Sequence, residues 1–411
     1  MRENVFVGLD IGTTKIACII SEVDENSELK VIGIGVSPSK GLRKGVVINI
    51  DQTVKSIKQA VEEAELMAGI DVEDVFVGIA GDHILAVNSK GVTNVKGENN
   101  IITAEDLERA KDSASAVSIP MDREVLHVIA QEYIVDNQPG IKNPIGMSAT
   151  RLEAQVHIIT GAVESANNIR RSVEKAGLNV IELVLEPIAS SYSVLEPDEK
   201  ELGVVLIDMG GGTTDVAMYY DNSFRHTAVV AHGGQNVTKD IAICMRTPVD
   251  KAEEIKKEYG CAYPKLVGMD EFVNVPGVGG REQREVSRSV LASIIEPRLE
   301  EILLLTKNAI LKTDFSEKLG AGIVLTGGGS LIDGMQELAE RVFEQPVKLG
   351  VPQGFGGLTE VASSPMHATG VGLCKYALKN IGVIDMKKPI TGDDSFGKIV
   401  DKMKSWVKEY F

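Results

Sequence analysis

Two segments of this 411-residue chain carry the same residue types at the same spacing, and both could bind phosphate. The first is VFVGLDIGTTKIACII at residues 5–20, and the second is GVVLIDMGGGTTDVAMYY at residues 203–220. Each runs from an apolar strand to an aspartate, a glycine turn with two threonines, and a second apolar strand. Glycines let a backbone approach a ligand closely, and consecutive N–H groups with threonine hydroxyls are donors for phosphate oxygens. We therefore interpret the pair as two phosphate-binding hairpins.

The aspartates at the strand ends, Asp10 and Asp208, could hold a divalent metal ion. Mg²⁺ prefers oxygen ligands and keeps much of its hydration shell, so we expect both carboxylates to hold it through water. Either loop alone could be an ordinary tight hairpin that binds nothing. The repetition of the pattern across half the chain favours the phosphate and Mg²⁺ interpretation.

A third glycine cluster, GIVLTGGGSLIDGMQELAERV at residues 322–342, predicts a strand, a glycine turn and a helix. A plain strand-to-helix connection would give the same pattern. In this order the three clusters resemble the actin, Hsp70 and sugar-kinase superfamily, whose members have two phosphate loops and an adenosine loop. The segments ELVLEPIASSYSVL, around Glu186, and HATGVGL, from His367, resemble its two inter-domain connections. The resemblance implies that ATP and Mg²⁺ bind between two similar halves.

The same resemblance implies roles for individual residues. Glu186 and Asp215 match positions that order the attacking water, although a carboxylate in an LEP turn could equally be a helix cap. The helix KAEEIKKEYG would close over the ribose and base, and a solvated charged face is the alternative. The implied nucleotide-binding residues are Asp10, Gly12, Thr13, Thr14, Lys15, Asp208, Gly210, Gly211, Gly212, Thr213, Thr214, Gly233, Gly234, Glu253, Lys256, Lys257, Gly327, Gly328 and Gly329.

Residues 82–161 depart from the actin plan. Strand-like ILAVNSKGVTNV precedes a helical stretch that begins at Thr103, with Glu105 and Asp106 in its first turn, and then strand-like VLHVIAQEYIVD. The segment QEYIVDNQPGIKNPIGMSATRLEAQVHIITG resembles the inserted subdomain of the FtsA family of bacterial cell-division proteins. GGQNVTKDIAICMRTPVDKAEEIKKEYGCA and VPGVGGREQREVSR are also similar to that family. The resemblance covers essentially the whole chain.

This family resemblance implies an ATP-binding, actin-like protein that tethers FtsZ filaments to the cytoplasmic face of the cell membrane and supports Z-ring assembly. The implied partners are the FtsZ C-terminal peptide, further copies of the chain in actin-like filaments, anionic lipid and other division proteins, with at most weak ATPase activity. The FtsZ peptide would dock near the helix VLASIIEPRLEEILLLTKNAI. There Arg298 could bond a carboxylate bidentately, and an ordinary exposed arginine is the alternative.

Other members of the superfamily share this nucleotide cleft, so the fold alone does not fix the function. A pilus-assembly-type actin-like adaptor is one alternative, and a small-molecule kinase or a chaperone ATPase is another. The chain lacks an evident kinase acceptor motif and a β-rich chaperone domain after the nucleotide core. These absences favour the division protein.

Residues 395–411 predict an amphipathic helix that lies on a membrane surface. Apolar residues recur at the spacing of one helical face, and lysines lie mostly off that face. A helix docked on the protein's own core is the commoner fate of such a stripe. However, residues 382–394 contain Pro389, Gly392 and the polar run TGDDS, and they predict a flexible linker. The predicted membrane-facing residues are Phe396, Ile399, Val400, Met403, Trp406, Val407, Tyr410 and Phe411.

The composition narrows the class of protein. A formal net charge of −16 argues against nucleic acid as the main partner. No run of about eighteen apolar residues could span a bilayer, and no signal-peptide pattern precedes Asp10, so we expect no export. The four cysteines lack metal spacing and are expected to be reduced and mostly buried. The six histidines are expected to be structural or surface residues and not metal ligands.

We therefore expect an α/β, actin-like two-domain ATPase fold with duplicated ribonuclease-H-like halves and an inserted FtsA-type subdomain. The expected boundaries are residues 1–82, 161–197 and 346–381 for subdomain 1A, 83–160 for the inserted subdomain 1C, 198–232 and 301–345 for subdomain 2A, 233–300 for subdomain 2B, 382–394 for the linker and 395–411 for the amphipathic helix.

Overall fold

The computed structural model describes the backbone of residues 4–387 and the side chains of residues 4–380. The predicted membrane helix of residues 395–411, with all eight membrane-facing residues, lies outside the described residues, as does most of the predicted linker. The chain divides into residues 1–376 and 377–411, and every sheet belongs to the first unit. The strands are β1 (Val5–Ile11), β2 (Lys15–Val23), β3 (Leu29–Pro38), β4 (Leu42–Arg43), β5 (Val46–Val47), β6 (Asp74–Ile79), β7 (Leu85–Asn94), β8 (Arg123–Val135), β9 (Gln138–Ile141), β10 (Arg151–Ala162), β11 (Asn179–Leu185), β12 (Val204–Met209), β13 (Thr214–Tyr220), β14 (Ser223–Val230), β15 (Phe272–Val275), β16 (Arg284–Ser287), β17 (Gly322–Thr326), β18 (Val347–Leu349) and β19 (Gly356–Gly357). The α-helices are α1 (Ile50–Ala68), α2 (Ala104–Ser115), α3 (Val163–Ala176), α4 (Glu186–Val194), α5 (Pro197–Leu202), α6 (Gly234–Cys244), α7 (Val249–Tyr259), α8 (Arg288–Leu311), α9 (Met335–Phe343), α10 (Thr359–Ala362) and α11 (Ala368–Lys387).

The two halves of the molecule are built on sheets with the same topology. The first sheet has the order β11-β6-β1-β2-β3-β19, and the second has the order β18-β17-β12-β13-β14. In each half an antiparallel hairpin is followed by a third antiparallel strand, and two parallel strands lie on the other side of the first. This repeat confirms the predicted duplicated halves.

The central strands of both sheets are buried because their sequences are apolar almost without interruption. VFVGLDI in β1 and VVLIDM in β12 have no exposed residue. A sheet covered on both faces needs such runs. Helix α1 covers β3 at very close range, since a Cβ at Gly35 would lie 1.9 Å from the carbonyl oxygen of Ala60. Only glycine permits this approach.

The inserted subdomain is an antiparallel sheet of order β7-β10-β8-β9, and α2 packs on it over a separate hydrophobic cluster. Thr103 caps α2, as the sequence predicted, and Asp106 completes a capping box. The subdomain also bonds to the second half. Gln131 Nε2 on β8 donates to the carbonyl oxygens of Phe224 at 3.0 Å and Arg225 at 2.9 Å, both on β14. The inserted subdomain therefore contacts the second half of the protein.

Secondary structure or strand pairing crosses three of the predicted boundaries. Helix α11 continues to Lys387, so the linker does not begin at residue 382; one glycine, Gly382, costs a helix only about 1 kcal/mol, and the first proline follows at 389. Strand β18 pairs in parallel with β17, which places residues 346–349 in the second half. The boundary between residues 300 and 301 falls inside α8, which is continuous despite Pro297.

The four cysteines all lie in the described part of the chain and are free. Cys18, Cys261 and Cys374 are buried, and Cys244, at the end of α6, is exposed. This agrees with the expected reduced and mostly buried thiols. Within residues 4–387, no helix combines the length and apolarity needed to cross a membrane.

Candidate functional site

The turns of the two equivalent hairpins face and touch each other. The β1–β2 turn contains Thr13 and Thr14, and the β12–β13 turn contains Gly211 and Gly212. A Cβ at Gly212 would lie 2.5 Å from Thr13 Oγ1, and a Cβ at Gly211 would lie 2.3 Å from Thr14 Cγ2. Glycine is therefore needed here for contact between the two halves of the protein, in addition to any ligand.

A cavity of about 450 Å³ opens beside these turns. It collects residues from both hairpins, from α4 and α7, and from the third glycine cluster. The predicted site residues that line it are Asp10, Gly12, Thr13, Thr14, Lys15, Glu186, Asp208, Gly210, Gly211, Gly212, Thr213, Asp215, Gly234, Glu253, Lys256, Lys257, Gly327, Gly328 and Gly329.

Two predicted nucleotide-binding residues, Thr214 and Gly233, do not line the cavity. Thr213 lies in the turn and lines the cavity, whereas Thr214 is the first residue of β13 and is fully buried. Thr214 Oγ1 donates to the carbonyl oxygen of His232 at 2.9 Å. Gly233 packs against the second turn, because a Cβ there would lie 2.6 Å from the carbonyl oxygen of Gly210. Both residues therefore stabilise the second turn from the side that faces away from the cavity.

Four carboxylates line the cavity near the two turns: Asp10, Glu186, Asp208 and Asp215. Lys15 Nζ donates to Asp10 Oδ2 at 2.6 Å. Burial and the neighbouring carboxylates, Asp10 first, raise the pKa of Glu186 well above its ordinary value.

The two aspartates of the second hairpin are also affected by burial. Burial raises the pKa of Asp208, although a hydrogen bond from Ser190 opposes the shift. Burial raises the pKa of Asp215 to about 7, against a hydrogen bond from Thr213. Asp215 Oδ1 is buried and has no hydrogen-bond partner among the described residues.

This donor set fits Mg²⁺ held through water. Four carboxylates face one close cation, Lys15, and a divalent ion would offset the excess negative charge. No group of three or more histidine, cysteine or carboxylate residues in the described chain is close enough to bind a metal directly. Mg²⁺ normally keeps several waters and takes few protein ligands, so water-mediated binding suits the geometry.

The other end of the cavity is formed by α6, α7 and the third glycine cluster. Lys256 is buried, and its Nζ donates to Thr238 Oγ1 at 2.9 Å, Glu253 Oε2 at 2.6 Å and the carbonyl oxygen of Gly234 at 3.2 Å. Burial opposes charge on the Glu253 carboxyl, but Lys256 outweighs this and lowers the pKa of Glu253. The ammonium of Lys256 therefore joins α6 to α7, and Lys257 is the more exposed of the two lysines.

The strand–turn–helix prediction for the third glycine cluster is confirmed. β17 leads through Gly327, with φ of 83°, to a short 3₁₀ turn and then to α9. A Cβ at Gly329 would lie 2.5 Å from Met209 Cγ, whereas a Cβ at Gly328 would meet nothing within 4 Å. Gly328 thus borders open space in the cavity.

The structure adds residues that sequence reasoning missed. The Gly45 N–H donates to Thr13 Oγ1 at 2.9 Å, and Gly45 lines the cavity. Met366 and Thr369, at the start of the second connecting segment, also line it. Ser190 Oγ, in the first connecting segment, donates to Asp208 Oδ2 at 2.7 Å. The resemblance of both segments to inter-domain connections was the available signal, but it pointed to no hydroxyl.

Arg298 lies on α8 and does not line the cavity. Its Nε donates to Asp240 Oδ2 at 2.5 Å, its Nη2 donates to Asp240 Oδ1 at 3.2 Å, and its Nη1 donates to Glu301. The guanidinium is thus already engaged bidentately within the protein. A carboxylate from a partner would have to compete with Asp240.

The histidines form no metal site in the described chain. The rings of His157 and His226 lie 6.1 Å apart where the inserted subdomain meets β14. Burial lowers the pKa of His157 to about 4, so this imidazole is neutral at physiological pH.

Two segments of the chain match family models, and both models describe the same family. Residues 205–372 match the model described as cell division protein FtsA, and residues 81–160 match the SHS2 domain inserted in FTSA. The FtsA protein of Pseudomonas aeruginosa is 46% identical over 412 residues and covers 99% of this chain and 98% of its own length. The FtsA of Borreliella burgdorferi is 43% identical with 100% of both chains covered, and that of Escherichia coli K12 is 42% identical with 98% of both covered.

Solved structures support the fold. A PilM–PilN type IV pilus biogenesis complex chain superposes with a TM-score of 0.67 at 16% identity and covers 91% of this chain and 98% of its own. MreB5 of Spiroplasma citri bound to ADP superposes with a TM-score of 0.57 at 14% identity, with 94% of this chain and 100% of its own covered. With the repeated topology, these likenesses confirm the predicted α/β actin-like fold and its inserted subdomain.

Proposed function

This chain belongs to the FtsA family of cell division proteins, and we propose that it binds ATP and Mg²⁺ in the cavity between its two halves. We further propose that it tethers FtsZ filaments to the cytoplasmic face of the cell membrane at the division site. Family membership favours this role over that of a pilus adaptor, a small-molecule kinase or a chaperone.

One observation carries the nucleotide proposal: two equivalent glycine–threonine turns meet at one cavity, which the carboxylates of Asp10, Glu186, Asp208 and Asp215 also line. Backbone N–H groups and threonine hydroxyls from opposite sides would grip the phosphates. Bound Mg²⁺ would offset the negative charge of the phosphates and of Asp10 and Asp208. The third glycine cluster, with Gly328 facing open space, leaves room for the adenosine.

The electrostatics of the site support at most weak ATPase activity. A base for the attacking water must be ionised at the working pH. Burial and neighbouring carboxylates raise the pKa of Glu186 well above its ordinary value, which disfavours the ionised form that a base requires. Asp215, with a pKa of about 7 and an unpaired Oδ1, is the better-placed carboxylate to orient a water.

The partners of this proposal follow from the family. ATP binding would set the conformation of a subunit that assembles into actin-like filaments. The C-terminal segment, residues 395–411, would bind anionic lipid, and assembly would add the weak affinities of single tails. Other division proteins, and no nucleic acid, complete the proposed partners.

The FtsZ C-terminal peptide is proposed to dock near α8, with Arg298 as one contact. The bidentate pair with Asp240 changes how that contact would form. An acidic peptide would exchange one carboxylate partner of Arg298 for another, so the net gain in affinity from this arginine would be smaller than for a free guanidinium.

Gly328 offers a direct test of ATP binding. A methyl group there meets no protein atom within 4 Å, so Gly328→Ala should fold normally and lose little affinity, whereas Gly328→Leu should fill the adenosine side of the cavity. Isothermal titration with ATP and Mg²⁺ should show wild-type binding and a loss of about ten-fold or more in Gly328→Leu. Equal affinity in all three proteins, with native circular dichroism, would place the nucleotide elsewhere.

A further inference from the structure

Helix α4 carries three buried serines on the connection between the two halves. Ser190, Ser191 and Ser193 are at most 1% exposed. A buried hydroxyl is costly unless it is hydrogen-bonded. Ser191 Oγ pairs with Tyr219 Oη at 2.6 Å, and Ser193 Oγ donates to the carbonyl oxygen of Ala368 at 2.7 Å. These two bonds involve neutral groups and hold the helix in place.

Ser190 differs because its partner is a carboxylate of the candidate site. Its Oγ donates to Asp208 Oδ2 at 2.7 Å. Thr369 Oγ1, from α11, lies 3.0 Å from the same serine oxygen and donates to the same Oδ2 at 3.4 Å. Hydroxyl bonds to an ionised carboxylate are shorter and stronger than neutral ones. Two connecting helices thus meet at one oxygen of Asp208.

The other oxygen of Asp208 is confined as well. A Cβ at Gly327 would lie 2.3 Å from Asp208 Oδ1, so the backbone of the third glycine cluster lies directly against it. Three segments distant in sequence therefore fix the orientation of this carboxylate. A metal-binding carboxylate held in this way needs no reorganisation when the ion arrives.

We propose that Ser190 and Thr369 are positioning residues that orient Asp208 for Mg²⁺, and that they set how strongly Mg²⁺ enhances ATP binding. This inference rests on the proposed ATP and Mg²⁺ site and adds two residues to it. Neither hydroxyl needs to touch the ion, because each acts through Asp208. Their loss should weaken ATP affinity in Mg²⁺ more than ATP affinity in EDTA.

The test is a titration of the full chain with ATP in excess Mg²⁺ and again in EDTA, which gives a ratio of affinities for each protein. Ser190→Ala and the near-isosteric Thr369→Val should each lower this ratio by about ten-fold, the size of effect seen when the partner of a metal ligand is removed. Thr369→Ser, which retains the hydroxyl, should keep the wild-type ratio of affinities. Ser193→Ala removes an equally buried hydroxyl that does not contact Asp208, and its ratio should match wild type.

A double substitution separates positioning from general damage to the connection. In an Asp208→Asn background, adding Ser190→Ala should change the ratio no further, because the serine acts only through that carboxylate. An unchanged ratio in both Ser190→Ala and Thr369→Val would overturn the inference, and so would an equal loss of ATP affinity with and without Mg²⁺. If wild-type protein bound no ATP at all, the proposed function itself would fail instead.

Discussion

The bond between the inserted subdomain and the second half gives a prediction about stability. Gln131 is buried, and its side-chain amide donates to two carbonyl oxygens of β14 at 3.0 and 2.9 Å. Ser223 Oγ on β14 donates in turn to the main-chain carbonyl oxygen of Gln131 at 2.8 Å. Gln131→Leu keeps a side chain of similar size but removes both donors. We expect it to lower the free energy of unfolding.

The magnitude follows from the number of groups left without a partner. A buried carbonyl that loses its donor costs about 1–3 kcal/mol, and two carbonyls are affected. Gln131 also lines a cavity of about 480 Å³ at this interface, from which water could reach part of the exposed backbone. We therefore expect a loss of about 2–3 kcal/mol, near the lower end of the sum.

Urea unfolding followed by circular dichroism measures this loss. Tryptophan fluorescence is unsuitable because the only tryptophan, Trp406, lies in the C-terminal tail. Gln155→Leu is the matched control: Gln155 lines the same cavity but makes no side-chain hydrogen bond within the described part of the chain. Hydrogen exchange should also become faster in peptides covering residues 123–135 and 223–230.

Equal stability of Gln131→Leu and Gln155→Leu would refute this reasoning. In that case water would satisfy the carbonyls of β14 as well as Gln131 does. The inserted subdomain would then be attached firmly to the first half alone.

Three further predictions concern the partner site, the tail and the inserted subdomain. Arg298→Glu should weaken FtsZ-peptide binding by about 1–3 kcal/mol, whereas Asp240→Asn, which removes the internal competitor, should strengthen it. Fluorescence anisotropy with labelled peptide measures both affinities. Weaker binding in both variants would show that the Arg298–Asp240 pair serves only the fold. Trp406→Glu places a charge in the predicted apolar face, whose whole contribution to lipid binding we expect to be about 4–7 kcal/mol. The full chain should therefore stop floating with anionic liposomes while ATP binding is retained, and continued flotation would remove the tail as the anchor. Burial opposes charge on Asp106, but hydrogen bonds, first from the Lys96 N–H, outweigh it and lower the pKa of Asp106 from 3.8 to about 2. The ionised carboxyl therefore stabilises the inserted subdomain fully above about pH 4, and this stability should fall as the pH drops through 2. Asp106→Asn should lack this dependence in acid titrations followed by circular dichroism.

The local parts of the site could be predicted from the sequence. Each glycine–threonine hairpin is a short-range structure, because a glycine turn between two apolar strands brings its own ends together. The same holds for the strand and turn of the third glycine cluster and for the capped helix that begins after Thr103. These features depend on neighbours within a few residues, which a single sequence displays.

Contacts between distant segments could not be predicted in this way. Ser190 and Thr369 reach Asp208 from 18 and 161 residues away, and a serine on a short helix gives no sign of such a partner. Lys256 was predicted to face the nucleotide, and its partner one turn away, Glu253, was visible in the sequence. The carbonyl oxygen of Gly234 that takes up the same ammonium was not.

The same limit applies to Thr214. The equivalent threonines of the first turn, Thr13 and Thr14, both line the cavity, whereas in the second turn Thr213 lines it and Thr214 does not. Thr214 Oγ1 donates instead to the carbonyl oxygen of His232, 18 residues away, and the motif gives no sign of that partner. Arg298 is a further example, because its partner Asp240 lies 58 residues away on another helix.

The single exposed thiol gives this chain a built-in labelling position. Helix α6 has 11 residues; it begins at Gly234, on the cavity, and ends at Cys244, about 15 Å away. A maleimide dye should attach at Cys244 alone, since the other three thiols are buried and need not be mutated away. Because a helix moves as a rigid rod, a fluorophore at its outer end would report displacement of its inner end when a nucleotide enters. Displacement of α6 on nucleotide binding could thus be followed in real time without mutating the protein.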